Sequence, residues 1–199
     1  GRLEKPATSL GRPLARLLDL GLIRRDVPFG SSLRDSKRTA YRLDDPFLRF
    51  WFRFVEPNRS RLAAGQGARV LREVERDLHT QVASVFEDLV RQSVPRASYG
   101  GQAWGPAASW WGPGLDRSPM EIDVVAESED GSTLLVGEVK WSRRVDWKRE
   151  EATLRRKAEN LPLARERGVQ LALWAPTATP RPRGGVLRFG AGHVLDTLR

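Results

Sequence analysis

Apolar residues at 71, 74, 78, 82, 85, 86 and 89 recur at three- and four-residue steps, so residues 70–94 read as a long amphipathic helix. Residues 7–20 repeat that spacing at 10, 14, 17 and 18, with Thr8 or Ser9 available as N-cap and Gly21 where the helix would stop. The period then shortens. LIRRDVPF and TAYRL read as two short strands around the polar, basic loop GSSLRDSKR. A helix followed by a hairpin with a basic tip predicts the second half of a winged helix-turn-helix. Residues 44–57, DDPFLRFWFRFVEP, open with a helix start at Asp44, Asp45 and Pro46. Phe47, Phe50, Trp51 and Phe54 then share one face, which reads as packing rather than as a base-stacking platform.

Further along, the Gly-, Pro- and Trp-rich residues 99–119 predict a strand around Trp110 and Trp111 set between loops. MEIDVVAE, STLLVGEVKW and VQLALWAP are the clearest strands. KREEATLRRKAENL, between the last two, predicts a helix with Leu154, Ala158 and Leu161 inward. The order helix, three strands, helix, strand describes an α/β fold, a mixed sheet flanked by helices. AAGQGA, residues 63–68, is the linker candidate and divides the chain into 1–62 and 63–199.

Charge follows the same division. Residues 1–62 hold 14 Lys/Arg against 7 Asp/Glu, and residues 63–199 hold 20 against 18. A basic N-terminal third suits a phosphate-backbone partner, although a generic arginine-rich surface gives the same balance. Arg12 and Arg16 face outward on the predicted recognition helix, with Lys37 and Arg38 on the wing. In DNA-binding winged helices such positions meet phosphates and base edges, whereas other winged helices only dock proteins. The absence of cysteine excludes disulfides and cysteine-based zinc sites and fits a cytoplasmic protein. Two distant histidines offer no metal cluster, and no apolar run reaches the roughly 18 residues of a membrane span. A phosphate-binding GxxxxGK[ST] is absent, so ATP hydrolysis is not expected of this chain alone. The sequence opens on Gly inside a helical pattern, which reads as a piece of a longer protein.

The chemistry concentrates in LLVGEVKW, residues 134–141. Glu138 and Lys140 alternate onto the same face as Leu134 and Val136, and burying charge is costly. Asp130-Gly131 is a two-residue hairpin signal. Pairing Glu129 with Ser132 across it sets Asp123 opposite Glu138, and Glu121 opposite Lys140. Facing carboxylates repel unless a cation sits between them, and Mg²⁺ or Mn²⁺ answers that need. Lys140 would then orient a water or stabilise charge on a phosphate, with Glu87 of the long helix as a further carboxylate. The competing arrangement is a surface one, a Glu121–Lys140 salt bridge with Asp123 and Glu138 solvated. A one-residue slip in register would also separate the two carboxylates.

Asp123 in EIDVV, a hairpin, then Glu138-Val139-Lys140 resembles the core of the PD-(D/E)xK nuclease superfamily, which includes restriction endonucleases and Holliday-junction resolvases. More narrowly, GLIRR with its wing, YRLDDPFLRFWFRF, VFEDLVRQ, the tryptophan pair, EIDVVAES and LLVGEVKW are similar to the C-terminal region of archaeal and bacterial AAA/STAND-type ATPases. The resemblance implies a restriction-endonuclease-like fold after a partial winged helix, with Glu87, Asp123, Glu138 and Lys140 in the site positions. It implies Mg²⁺-dependent hydrolysis of DNA, the metal held by Asp123, Glu138 and the Val139 carbonyl. An ATPase domain upstream is implied as well, and a homodimer fits cutting of both strands. Ile122 stands where the superfamily's name has proline. The alternative is a catalytically silent module that regulates the ATPase, the winged helix serving as a docking surface.

Overall fold

A left-handed glycine ends the first helix. In the computed structural model, which describes residues 7–32, 34, 38–142, 144–178 and 185–199, a 3₁₀ turn at Ala7–Leu10 leads into α1 (Gly11–Asp19). Gly21, at φ +66°, lets its own N–H reach Leu18 O while Leu22 N–H reaches Leu17 O. β1 (Ile23–Asp26) then pairs antiparallel with β2 (Ala40–Leu43), Ile23 opposite Leu43. This is the expected helix and hairpin.

The aromatic stretch departs from a single regular helix. Asp45 caps α2 (Pro46–Phe50) by accepting the N–H groups of Phe47 and Leu48. A π turn, Trp51–Val55, follows, then a 3₁₀ turn and α3 (Arg59–Ala63). A π turn inserts an extra residue and rotates what comes after it. Phe54 is therefore buried while Phe47 is 63% exposed, against the expectation of one shared apolar face. Gly65, at φ +75°, turns the chain from α3 into α4 (Gly67–Ser93). Leu71 is exposed, although the spacing put it inward with Val74 and Leu78. The chain forms two compact units, Gly1–Val27 with Ser36–Gln81, and Pro28–Asp35 with Val82–Arg199, so the division falls inside α4.

The second unit is built on one mixed sheet of five strands. These are β3 (Ala108–Pro113), β4 (Pro119–Glu127), β5 (Thr133–Val139), β6 (Gly168–Trp174) and β7 (Val186–Phe189), hydrogen-bonded in that order. β4 runs antiparallel to both its neighbours, β3 and β5, and β5, β6 and β7 run parallel. α5 (Trp147–Asn160) makes the crossover from β5 to β6, as a parallel pair requires. α6 (Ala191–Thr197) closes the chain. β7 and α6 were not expected from the sequence.

Alternation along the strands feeds two cores. Leu134 and Val136 pack with Ile122, Trp110 and the α5 residues Leu154 and Ala158, together with Leu161. Leu135 and Val139 pack with Phe86 and Val90 of α4, Val94, Trp174 and Val194 of α6. Helices thus cover both faces, the α/β arrangement expected. Among the described residues no helix is long and apolar enough to cross a membrane.

Gly137 interrupts this apolar strand for a steric reason. A Cβ there would lie 2.3 Å from the Trp174 ring and 2.7 Å from the Ala172 carbonyl oxygen. Because one of those neighbours is backbone, Gly137→Ala is expected to cost about 2 kcal/mol of stability, the range of core overpacking. Urea unfolding reads this as a lowered midpoint at unchanged slope. An unaltered midpoint would mean that the β5–β6 packing yields freely.

Candidate functional site

The site begins with an irregularity in β4. Ile122 lies opposite Trp110 and Val125 opposite Ala108, three steps on β4 against two on β3. Such a bulge re-aims a side chain and interrupts pairing. On its other edge β4 pairs with β5 from Glu127↔Leu134 to Val124↔Gly137, the register expected from the Asp-Gly turn. The next pair would be Asp123 with Glu138. There the ladder stops, and Asp123 Oδ2 accepts the Val139 N–H at 2.9 Å. A side chain thus takes over the strand's hydrogen bond. From α4, Arg91 donates to the Asp123 carbonyl at 2.8 Å and ion-pairs with Asp88 at 2.7 Å and Glu87 at 3.9 Å. Glu87 is half-buried beside this arginine, which ties α4 to the bulged strand.

Glu138 stands on the α5 side of β5, its side chain only 5% exposed. Both of its oxygens meet ammonium groups, Lys140 Nζ at 3.0 Å from Oε2 and Lys157 Nζ at 2.6 Å from Oε1. Lys140 also lies 3.6 Å from Glu150. Charge-assisted bonds of this kind offset much of the desolvation cost of a buried carboxylate. The arrangement corrects the surface alternative: Glu138 is buried, Lys140 pairs with it, and Glu121 is exposed opposite Trp111 on β3. Sequence reasoning missed Lys157 and Glu150. Their signal was present, since 150, 154, 157 and 161 share one helical stripe and Leu154 and Leu161 were read as inward.

Burial, and then the Glu138 charge, push the Asp123 carboxyl up to about 6; the Val139 N–H, Lys140 and Lys157 oppose the rise. Burial works against the Lys140 ammonium too, but Glu138, Asp123 and Glu150 outweigh it and hold its pKa above the ordinary lysine value. Three carboxylates (Asp123, Glu138, Glu150) face two ammoniums, which leaves one negative charge in excess when Asp123 is ionised. An added cation would balance it. Among the described residues no group of three or more His, Cys, Asp or Glu is arranged to hold a metal. Asp123 and Glu138, with a main-chain oxygen and waters, are instead the kind of set that suits Mg²⁺, which keeps much of its hydration. The residues present fit such an ion.

The expected nucleic-acid residues belong to the first unit. Arg12 and Arg16 are exposed on α1, and Arg38 is exposed just before β2; Lys37 lies outside the described residues. The second unit has a basic stretch of its own. Residues 140–157 hold eight Lys/Arg against three Asp/Glu, and Arg149 and Arg156 of α5 are exposed one residue before Glu150 and Lys157.

The family described as archaeal and bacterial proteins of unknown function matches this chain over residues 51–154. An uncharacterised protein of Methanocaldococcus jannaschii is 28% identical over 131 residues, which are 64% of this chain and 28% of that protein. The match therefore spans under a third of the relative's length. No solved structure matches.

Proposed function

This chain belongs to the DUF234 family of archaeal and bacterial proteins of unknown function, and we propose that its second unit is a Mg²⁺-dependent DNA nuclease module. The observation that supports this most is the meeting of half-buried Asp123 and buried Glu138 at the end of the β4–β5 ladder, with Lys140 two residues further on. The mixed sheet covered by helices on both faces is compatible with a restriction-endonuclease-like fold. Asp123 and Glu138 would hold Mg²⁺ or Mn²⁺, with the Val139 carbonyl as a further ligand; the ion supplies Lewis acidity and a water activated at neutral pH. Asp123 is fixed for this by the Val139 N–H and by Arg91 on its own carbonyl, so its carboxylate is preorganised. Lys140 is about one-third exposed and stands where it can meet a phosphate oxygen or a water. Arg149 and Arg156 on α5, and Arg12, Arg16, Lys37 and Arg38 in the winged-helix unit, would add sequence-independent affinity for the DNA backbone. That affinity should fall steeply between 50 and 200 mM salt, as binding by phosphate contacts does, which filter binding measures directly. The upstream ATPase and a dimeric assembly belong to the same proposal.

The two ammoniums on Glu138 also favour a second reading, a catalytically silent module that docks on and regulates its ATPase. Cleavage separates the two. Purified protein is expected to nick plasmid or branched DNA with Mg²⁺ or Mn²⁺ and to stop when the metal is chelated, while Lys140→Ala should leave the DNA intact. Equal residual cleavage by the wild type and Lys140→Ala would end the nuclease reading for those substrates.

A further inference from the structure

A carboxylate that is to bind a divalent cation must offer an oxygen, yet both oxygens of Glu138 are occupied by ammonium groups. Glu138 is too deeply buried to turn outward and find a cation in solvent. Each oxygen keeps a second lone pair, but an ion on either one would sit against an ammonium, and moving one lysine away relieves that repulsion. The two lysines differ in what they would lose. Lys140 is held in the cluster twice, by Glu138 at 3.0 Å and by Glu150 at 3.6 Å. Lys157 is held by Glu138 alone among the described residues, and its side chain is 27% exposed. Its tether matters as well. Lys140 stands directly after the end of β5, whereas Lys157 hangs from α5, so its departure disturbs neither β4 nor β5.

We propose that Lys157 is a positioning residue, a tethered placeholder cation. It holds Glu138 Oε1 and neutralises the site until a divalent ion displaces it. Once displaced, the ammonium stands on α5 next to the exposed Arg156, where it can meet an anionic phosphate. The proposal rests on the Mg²⁺ reading of this site. It adds that the resting site is self-inhibited by a residue outside the Glu-Val-Lys motif, and that metal and Lys157 compete for one oxygen.

Competition can be tested without any cleavage assay. Mn²⁺ binding is titrated by the loss of the free-ion electron paramagnetic resonance signal, using the full chain as wild type, Lys157→Met and Lys157→Arg. A dication and an ammonium on the same carboxylate repel strongly even at protein-like dielectric, so Lys157→Met is expected to bind Mn²⁺ about tenfold more tightly than the wild type. Lys157→Arg restores the competing charge and is expected to return affinity to the wild-type range. A purely structural lysine predicts the reverse order, since removing its packing and its ion pair would loosen Glu138 and weaken binding. Wild-type binding with equal or weaker binding by Lys157→Met overturns the placeholder role and leaves the metal site standing. Absence of Mn²⁺ binding in all three proteins at millimolar concentration overturns both. Thermal unfolding of each variant confirms that a folded chain is being compared.

Discussion

If the second unit is the nuclease proposed, Glu138→Gln is expected to lower its metal-dependent DNA cleavage by at least about 100-fold, because ion-assisted hydrolysis draws several kcal/mol from the ion and its ligands. The substitution keeps the shape of the side chain and one oxygen able to accept a hydrogen bond, and it removes the charge. Lys140 and Lys157 then lose the carboxylate that both now share. Their side chains are 34% and 27% exposed and can turn toward water, so the fold should survive. Single-turnover nicking of plasmid under Mg²⁺ reads the chemical step, and circular dichroism reads the fold. A folded Glu138→Gln protein that cuts at the wild-type rate would remove Glu138 from the chemistry, whatever Lys140 does. The same variant has a second consequence. The Glu138 charge is, after burial, the main cause of the raised Asp123 pKa, so Glu138→Gln should bring the Asp123 carboxyl down toward its ordinary range.

Much of this site was legible because the hairpin has a strong local signal. Asp130-Gly131 fixed the turn and strict alternation fixed the faces, so the Val124↔Gly137 to Glu127↔Leu134 ladder follows from the sequence. The bulge that ends the ladder at Asp123 left no such mark. Ile122, Asp123, Val124 and Val125 read as ordinary strand residues, and only the mismatch with β3 reveals the extra one. Lys157 was hidden for a different reason. Its stripe with Leu154 and Leu161 points it inward, but its partner is legible only once α5 is known to lie across Glu138. In the aromatic segment the 3.6-residue period was assumed to continue, and the π turn at Trp51–Val55 broke it. The strand VLRF follows a Pro-, Arg- and Gly-rich stretch and is too short for alternation to register, so β7 emerges only through its parallel pairing with β6.

Asp123→Asn is expected to stabilise the protein above pH 6 and to leave it unchanged near pH 4. The sign follows from the direction of the shift. Asp123 is pushed up to about 6 in the folded chain, from an ordinary value of 3.8. Between those two values the folded chain holds a proton that the unfolded chain has released, so stability declines as pH rises through that window. Well above pH 6 the full cost applies, about 3 kcal/mol for a shift of this size. Asparagine is neutral throughout and its amide oxygen can still accept the Val139 N–H, so the variant escapes the decline. Urea midpoints of both proteins at intervals from pH 4 to pH 8 measure the difference directly, because other titrating groups are common to the two. Parallel curves would mean that Asp123 titrates as an ordinary exposed carboxylate and that the buried acidic pair is not strained. Divergence gives the pair a physical purpose. A buried carboxylate kept ionised at a cost in stability is typical of residues retained for function. The cost should also disappear under one condition. If Asp123 and Glu138 bind a divalent ion, saturating Mg²⁺ or Mn²⁺ at pH 8 must stabilise the wild type through its affinity for the folded state, and must stabilise Asp123→Asn much less. The gap between the two proteins should therefore narrow when metal is added and reopen when it is chelated.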